Sequence, residues 1–151
     1  MSIRSLPTIG VEAEAEAMAA RAEVEHTKGK DYYIERRGVR FAGSHLIIDL
    51  WEASNLDSVE AIELALRRCV KAAGATLLHI HLHHFSPNGG VSGVAVLAES
   101  HISIHTWPER GYAALDVFMC GAADPYATID VLKHAFRPER VAIGEQMRGA
   151  F

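Results

Sequence analysis

Hydrophobic and polar positions alternate along several stretches of this chain and recur at helical spacing along two others. From Val39 to Trp51, Leu46, Ile48 and Leu50 share one parity, and His45, Ile47, Asp49 and Trp51 the other. That is the signature of a strand with one covered face. Leu77 to Phe85 alternates in the same way, with Leu78, Ile80 and Leu82 opposed to His79, His81 and His83. Ser86-Pro-Asn-Gly-Gly90 is turn chemistry, and Val91 to Ala98 reads as a second strand, so the two are predicted to pair antiparallel. Ile102 and Ile104 continue the alternation until Pro108-Glu-Arg-Gly111 breaks it; Ala113 to Met119 is a further strand, and Val141 to Met147 a last one at an edge.

Helical spacing appears in Val59, Ile62, Leu66, Cys69 and Val70, which places Cys69 in the core. Asp57 is suited to cap this helix, with Glu60 three residues on as its reciprocal partner, and Gly74 to end it. Asp124-Pro125 opens a second helix striped by Ile129, Leu132 and Phe136 and stopped by Pro138. The order of elements predicts an α+β two-layer sandwich: a mostly antiparallel sheet with two main helices on one face.

The first 30 residues do not share this patterning. Glu12, Glu14 and Glu16 alternate with alanines, and few large apolar residues are present with which to dock. A mobile or weakly docked arm is expected over 1–30, followed by a single domain over 31–151. With 49% apolar and 23% charged residues the 151-residue chain has the profile of one globular domain. A net charge of -4 argues against nucleic acid as a partner. No apolar run approaches the roughly 20 residues that span a bilayer, and the first residues lack the apolar stretch of a secretory signal, so no membrane association and a cytoplasmic location are expected. Two cysteines, Cys69 and Cys120, make no disulfide framework. The excess that asks for a reason is nine histidines.

Three groupings carry candidate chemistry. His79, His81 and His83, with His84 beside them, could ligate a divalent metal from one strand face, or form the polar side of an ordinary strand. Cys120 ends an apolar strand just before Gly121, where functional groups are often presented, but a buried thiol also fits. The richest stretch is Glu99-Ser-His-Ile-Ser-Ile-His-Thr-Trp-Pro-Glu109. Ser100 could be a nucleophile with His105 as base and Asp116 or Glu109 as orienter. Strand parity opposes this, since Ser100 lies with Ile102 and Ile104 whereas His105 lies with His101 and Ser103. Only a bend near Trp107-Pro108 would bring His105 back. Composition and spacing leave a hydrolase-like site, a metal site and a structural strand open.

This stretch resembles the corresponding run of the prokaryotic S-adenosylmethionine decarboxylases, pyruvoyl-dependent enzymes of polyamine synthesis. The likeness extends to Gly43-Ser-His-Leu-Ile-Ile-Asp49, His84-Phe-Ser-Pro87, Gly90-Val-Ser-Gly-Val94, Gly111-Tyr-Ala-Ala-Leu-Asp-Val-Phe118 and Cys120-Gly121, covering roughly 38–149. The resemblance implies a proenzyme cleaved between Glu99 and Ser100 into a β chain, 1–99, and an α chain, 100–151, which stay associated. Ser100 would become the pyruvoyl cofactor that forms a Schiff base with the substrate amine. His105 would be the processing base, Cys120 the proton donor and Ser92 a supporting residue. Phe85, aligned across a two-glycine turn, would stack on the adenine, Glu109 would bind the ribose, and Trp107 would border the pocket or pack beneath it. The implied substrate is S-adenosylmethionine, the product the aminopropyl donor for spermidine, and the assembly a homodimer of αβ units that bury their sheet edges. The alternatives are a same-fold decarboxylase of ornithine or arginine and, from another class, a His-rich metal-binding module.

Overall fold

A computed structural model describes residues 33–151 and, before them, the two-residue strand β1, Glu25–His26. The arm expected over 1–30 otherwise lies outside the described residues. The strands that follow are β2 (Ile34–Arg36), β3 (Val39–Phe41), β4 (Gly43–Trp51), β5 (Leu77–His84), β6 (Val91–Leu97), β7 (Ser100–Trp107), β8 (Tyr112–Cys120) and β9 (Arg140–Arg148). Helix α1 (Val59–Ala73) lies between β4 and β5, and α2 (Ala127–Phe136) between β8 and β9. The predicted Val39–Trp51 strand is thus divided at Ala42. Its first part joins β1 and β2 in a small sheet, and its second enters a six-stranded sheet of order β5-β6-β7-β8-β4-β9. Every neighbouring pair is antiparallel.

The alternation predicted the two faces. Leu46, Ile48 and Leu50 of β4, Ile102 and Ile104 of β7, and Leu115, Val117 and Met119 of β8 are buried in one core with Ile62, Leu66, Cys69, Leu132 and Phe136 of the helices. The two helices pack on each other over this face, giving the α+β sandwich. The other face carries the polar parity and has no layer over it among the described residues. Gly93 lets β5 come close to β6: a Cβ there would meet Leu82 Cδ2 at 2.2 Å and His81 O at 2.4 Å. A register shift between Leu77 and His79 takes Leu78 out of the predicted inward row and leaves it exposed.

The helix starts differ from expectation. Ser58, not Asp57, caps α1, its hydroxyl accepting from Ala61 N–H at 3.1 Å. Gly74 ends the helix in a left-handed conformation, as expected. At α2, the Asp124 carboxylate accepts from Tyr126 N–H at 3.0 Å, and the helix proper begins at Ala127, two residues past Pro125.

Candidate active site

The candidate residues collect at the two ends of β7. One end is the turn from β6. Leu97 pairs with Ser100, leaving Ala98 and Glu99 as a two-residue connection. Glu99 sits there at φ 62°, a left-handed conformation that side-chain-bearing residues rarely adopt. Such a residue stores on the order of 1–3 kcal/mol and persists only where its surroundings hold it. The strained residue is the one whose carbonyl joins Ser100. Ser100 is buried with the parity of Ile102 and Ile104, and its Oγ accepts a hydrogen bond from Cys120 N–H at 3.1 Å. Cys120 ends β8 beside it as a half-buried free thiol. Burial, and then the Glu99 carboxylate, push that thiol above its ordinary pKa.

The other end holds Ser92, His105, Trp107, Glu109 and Phe85. Ser92 and His105 are cross-strand partners, with Oγ and Nδ1 2.8 Å apart. Trp107 closes β7 and stacks on Tyr112 with ring centroids 5.2 Å apart. The Tyr112 hydroxyl donates to Asp49, and burial followed by that carboxylate pushes its pKa up to about 12. Glu109 lies in the 3-10 turn Pro108–Arg110. Phe85 follows β5 as a half-exposed ring set edge-on to His83 at 4.5 Å, and its N–H donates to Gly90 O across the turn.

No bend joins the two ends. The run from Ser100 to Trp107 is an unbroken strand paired to β6 and β8 along its length. The five-residue step from Ser100 to His105 spans about 17 Å and reverses the side-chain direction. The Ser100–His105–Asp116 arrangement considered from sequence is therefore not assembled within one chain. Asp116 instead accepts from His45 Nε2 at 2.7 Å, from His101 Nε2 at 3.3 Å and from Ser103 Oγ. This cluster on β4, β7 and β8 was not anticipated. Parity puts all four side chains on the uncovered face, but only the register makes them neighbours. The β5 histidines stand exposed along the edge of the sheet.

Comparison with known proteins bears on what these residues are for. The family model described as S-adenosylmethionine decarboxylase matches residues 44–149. The chain belongs to this family. The match takes in the six-stranded sheet, both helices and every residue of the two candidate groups. Relatives named S-adenosylmethionine decarboxylase proenzyme include one from Thermomicrobium roseum, 50% identical over 108 residues, covering 71% of this chain and 93% of the relative. Another, from Methanococcus maripaludis, is 51% identical over 110 residues, covering 71% and 89%. The crystal structure of the adenosylmethionine decarboxylase from Aquifex aeolicus matches with a TM-score of 0.65 at 38% identity, covering 72% of this chain and 92% of that one. No helix among the described residues is long and apolar enough to cross a membrane.

Proposed function

We propose that this chain is a self-processing, pyruvoyl-dependent decarboxylase of S-adenosylmethionine, whose product is the aminopropyl donor for spermidine synthesis. The observation that carries this reading is the β6–β7 turn, where a left-handed Glu99 precedes a Ser100 held by Cys120 N–H in a chain of this family. In processing, Ser100 Oγ attacks the Glu99 carbonyl carbon. The peptide C–N bond breaks as the ester forms, and strain at Glu99 favours the exchange. Removal of the Ser100 Cα proton then breaks the Cβ–O bond and releases Glu99 as the carboxylate end of the 1–99 chain. Water displaces ammonia from the dehydroalanine left at position 100, and the 100–151 chain begins with a pyruvoyl group. That group supplies an electron sink for breaking the carbon–carboxylate bond. The residues here fit it: Ser100 is the required precursor, and the raised pKa keeps Cys120 protonated at neutral pH, as a proton donor must be. Phe85, Trp107 and Glu109 provide aromatic surface and a carboxylate for the nucleoside part of the substrate.

Ser92 and His105 serve a Ser100 other than their own. The separation along β7 is supported as a property of half a site, completed by a second copy. When two uncovered sheet faces meet about a two-fold axis, the Ser92–His105 end of one lies against the Ser100–Cys120 end of the other. Exposed Val96 and Trp107 lie on that face. We propose that the homodimer joins these faces, where the resemblance alone implied the sheet edges.

Intact-mass measurement tests the processing. Fragments corresponding to 1–99 and to 100–151 with a blocked N-terminus are expected, and a persistently uncleaved chain overturns the proposal. Carbon dioxide release from S-adenosylmethionine, ornithine and arginine, compared side by side, checks the substrate. The shared site has its own test. Ser100→Ala and His105→Ala chains, each unprocessed alone, are co-refolded; the His105→Ala chain should then be cleaved, using His105 of the Ser100→Ala copy. No cleavage in the mixture would sink the shared site without touching the decarboxylase reading.

A further inference from the structure

Arg36 takes no part in the processing and decarboxylation steps, yet it is built into the surroundings of Cys120. It ends β2, whose hairpin with β3 precedes residue 44, where the family match begins. The hairpin packs on the helix side of the sheet, since Glu145, the ion-pair partner of Arg36, registers with Leu46 of the core. It is thus on the opposite side from the faces joined in the proposed homodimer. The Arg36 and Glu145 side chains are only 10% and 18% exposed. The guanidinium also lies 5.3 Å from the ring centroid of buried Phe41. The hairpin is fastened to the end of the chain: Ala42 N–H donates to Arg148 O at 2.8 Å and Phe151 N–H to Arg40 O at 3.1 Å. Between hairpin and sheet is a cavity of about 160 Å³. Ile34, Arg36, Phe41 and Ser44 form one wall of it, and the segment 121–126 forms the other. That segment leaves β8 directly after Cys120, with Gly121 left-handed at φ 59°. Farther on, Asp124 N–H donates to Ala73 O at 2.9 Å, and the Tyr126 hydroxyl donates to Glu145.

We propose that Arg36 is a positioning residue for Cys120: by holding Glu145, and through it Tyr126, it fixes the segment 121–126 and with it the thiol. The proposal rests on the proton-donor role given to Cys120 above. A mostly buried carboxylate needs its counter-charge. Without Arg36, Glu145 turns toward water or takes up a proton, and Tyr126 loses the ionised acceptor that anchors its hydroxyl. The segment then gains freedom at the end away from β8, and the freedom reaches Cys120 through Gly121, which has no side chain to resist it. A donor displaced by a fraction of its hydrogen-bond length transfers its proton far less efficiently. In the cleaved protein Arg36 belongs to the 1–99 chain, whereas Glu145, Tyr126 and Cys120 belong to the 100–151 chain. The hairpin is therefore a strap from one fragment that orders the donor of the other.

Hydrogen–deuterium exchange in a full-length Ser100→Ala chain, which cannot cleave, reads the positioning apart from the chemistry. Adding Arg36→Gln should speed exchange over 121–126 and leave β5 to β7 as they were; Arg36→Lys, which keeps the charge, should restore most of the protection. In the otherwise unaltered chain, with rates counted per cleaved molecule, Arg36→Gln should lower kcat about 10- to 100-fold at unchanged KM, and Arg36→Lys should recover it. Tyr126→Phe removes only the hydroxyl bond to Glu145 and should act in the same direction, which keeps the test open should the Arg36 change disturb folding. Unchanged exchange over 121–126, or a lowered melting temperature with kcat intact, overturns the proposal. Failure of the parent chain to cleave or to release carbon dioxide would instead be a failure of the decarboxylase reading, which the exchange measurement does not share.

Discussion

Cys120 combines two properties that pull in useful directions. It is only half-buried, and burial together with Glu99 keeps its proton in place. In Cys120→Ala, chain cleavage should persist while turnover falls about 10²–10⁴-fold, the usual contribution of a positioned acid; mass analysis beside carbon dioxide release measures both. A pH titration with a thiol-alkylating reagent separates the two causes of the shift. In a Ser100→Ala background, which prevents cleavage, Glu99→Gln should lower the Cys120 pKa but leave it above the ordinary thiol value, because burial is the larger cause. An unchanged pKa would remove Glu99 from the account. Cys69 will not confuse the reading, since burial pushes its thiol up to about 12.

Among the elements, α1 separates what neighbouring residues dictate from what distant ones do. Its apolar stripe and its Gly74 terminus were legible, because helical period and left-handed backbone are properties of neighbouring residues. The cap falls one position past Asp57, although Asp57 and Ser58 are both chemically suited to it. The choice depends on how the preceding loop is held. Leu56 is buried, and its carbonyl accepts from Thr106 Oγ1 at 2.6 Å, a contact reaching 50 residues along the chain. With Leu56 pinned there, Ser58 stands at the helix entrance. Ser58→Ala should destabilise the protein by about 1 kcal/mol, and Asp57→Ala by clearly less; urea denaturation of the two variants distinguishes them.

Across the whole molecule, Glu145 of β9 joins parts distant in sequence. It pairs with Arg36 of β2 and accepts from Ser44 of β4 at 2.8 Å and from Tyr126 just before α2. Burial alone would raise its pKa, but the bonds from Arg36, Tyr126 and Ser44 outweigh it and hold the carboxyl below the ordinary value of 4.5. A depressed folded-state pKa means that this group stabilises the fold above about pH 4.5 and loses that contribution as pH falls through the lowered value. Glu145→Gln should therefore lower the melting temperature at neutral pH, and its deficit against the parent should shrink as the solution is acidified below that range. A deficit independent of pH would mean that packing, not charge, is what the substitution removes. The same cluster borders a cavity of about 160 Å³ lined by Phe41, Gly121 and Tyr126, so loss of its bonds is expected to loosen the segment that follows Cys120.

The sequence by itself determined the two faces of the sheet, the helix stripes and the turns at Ser86–Gly90 and Pro108–Gly111, because each depends on residues within a few positions of one another. It also held the Glu99–Glu109 run and the family resemblance that run carries. It could not place Ser100 relative to His105 beyond excluding a shared face. Only the tertiary structure decided that the strand between them stays straight, that Ser92 is the partner of His105, and that His45, His101 and Asp116 converge. Parity is local and can be read along one strand. Register is a choice among backbone pairings made between strands far apart in sequence, and it decides which side chains on a face become neighbours.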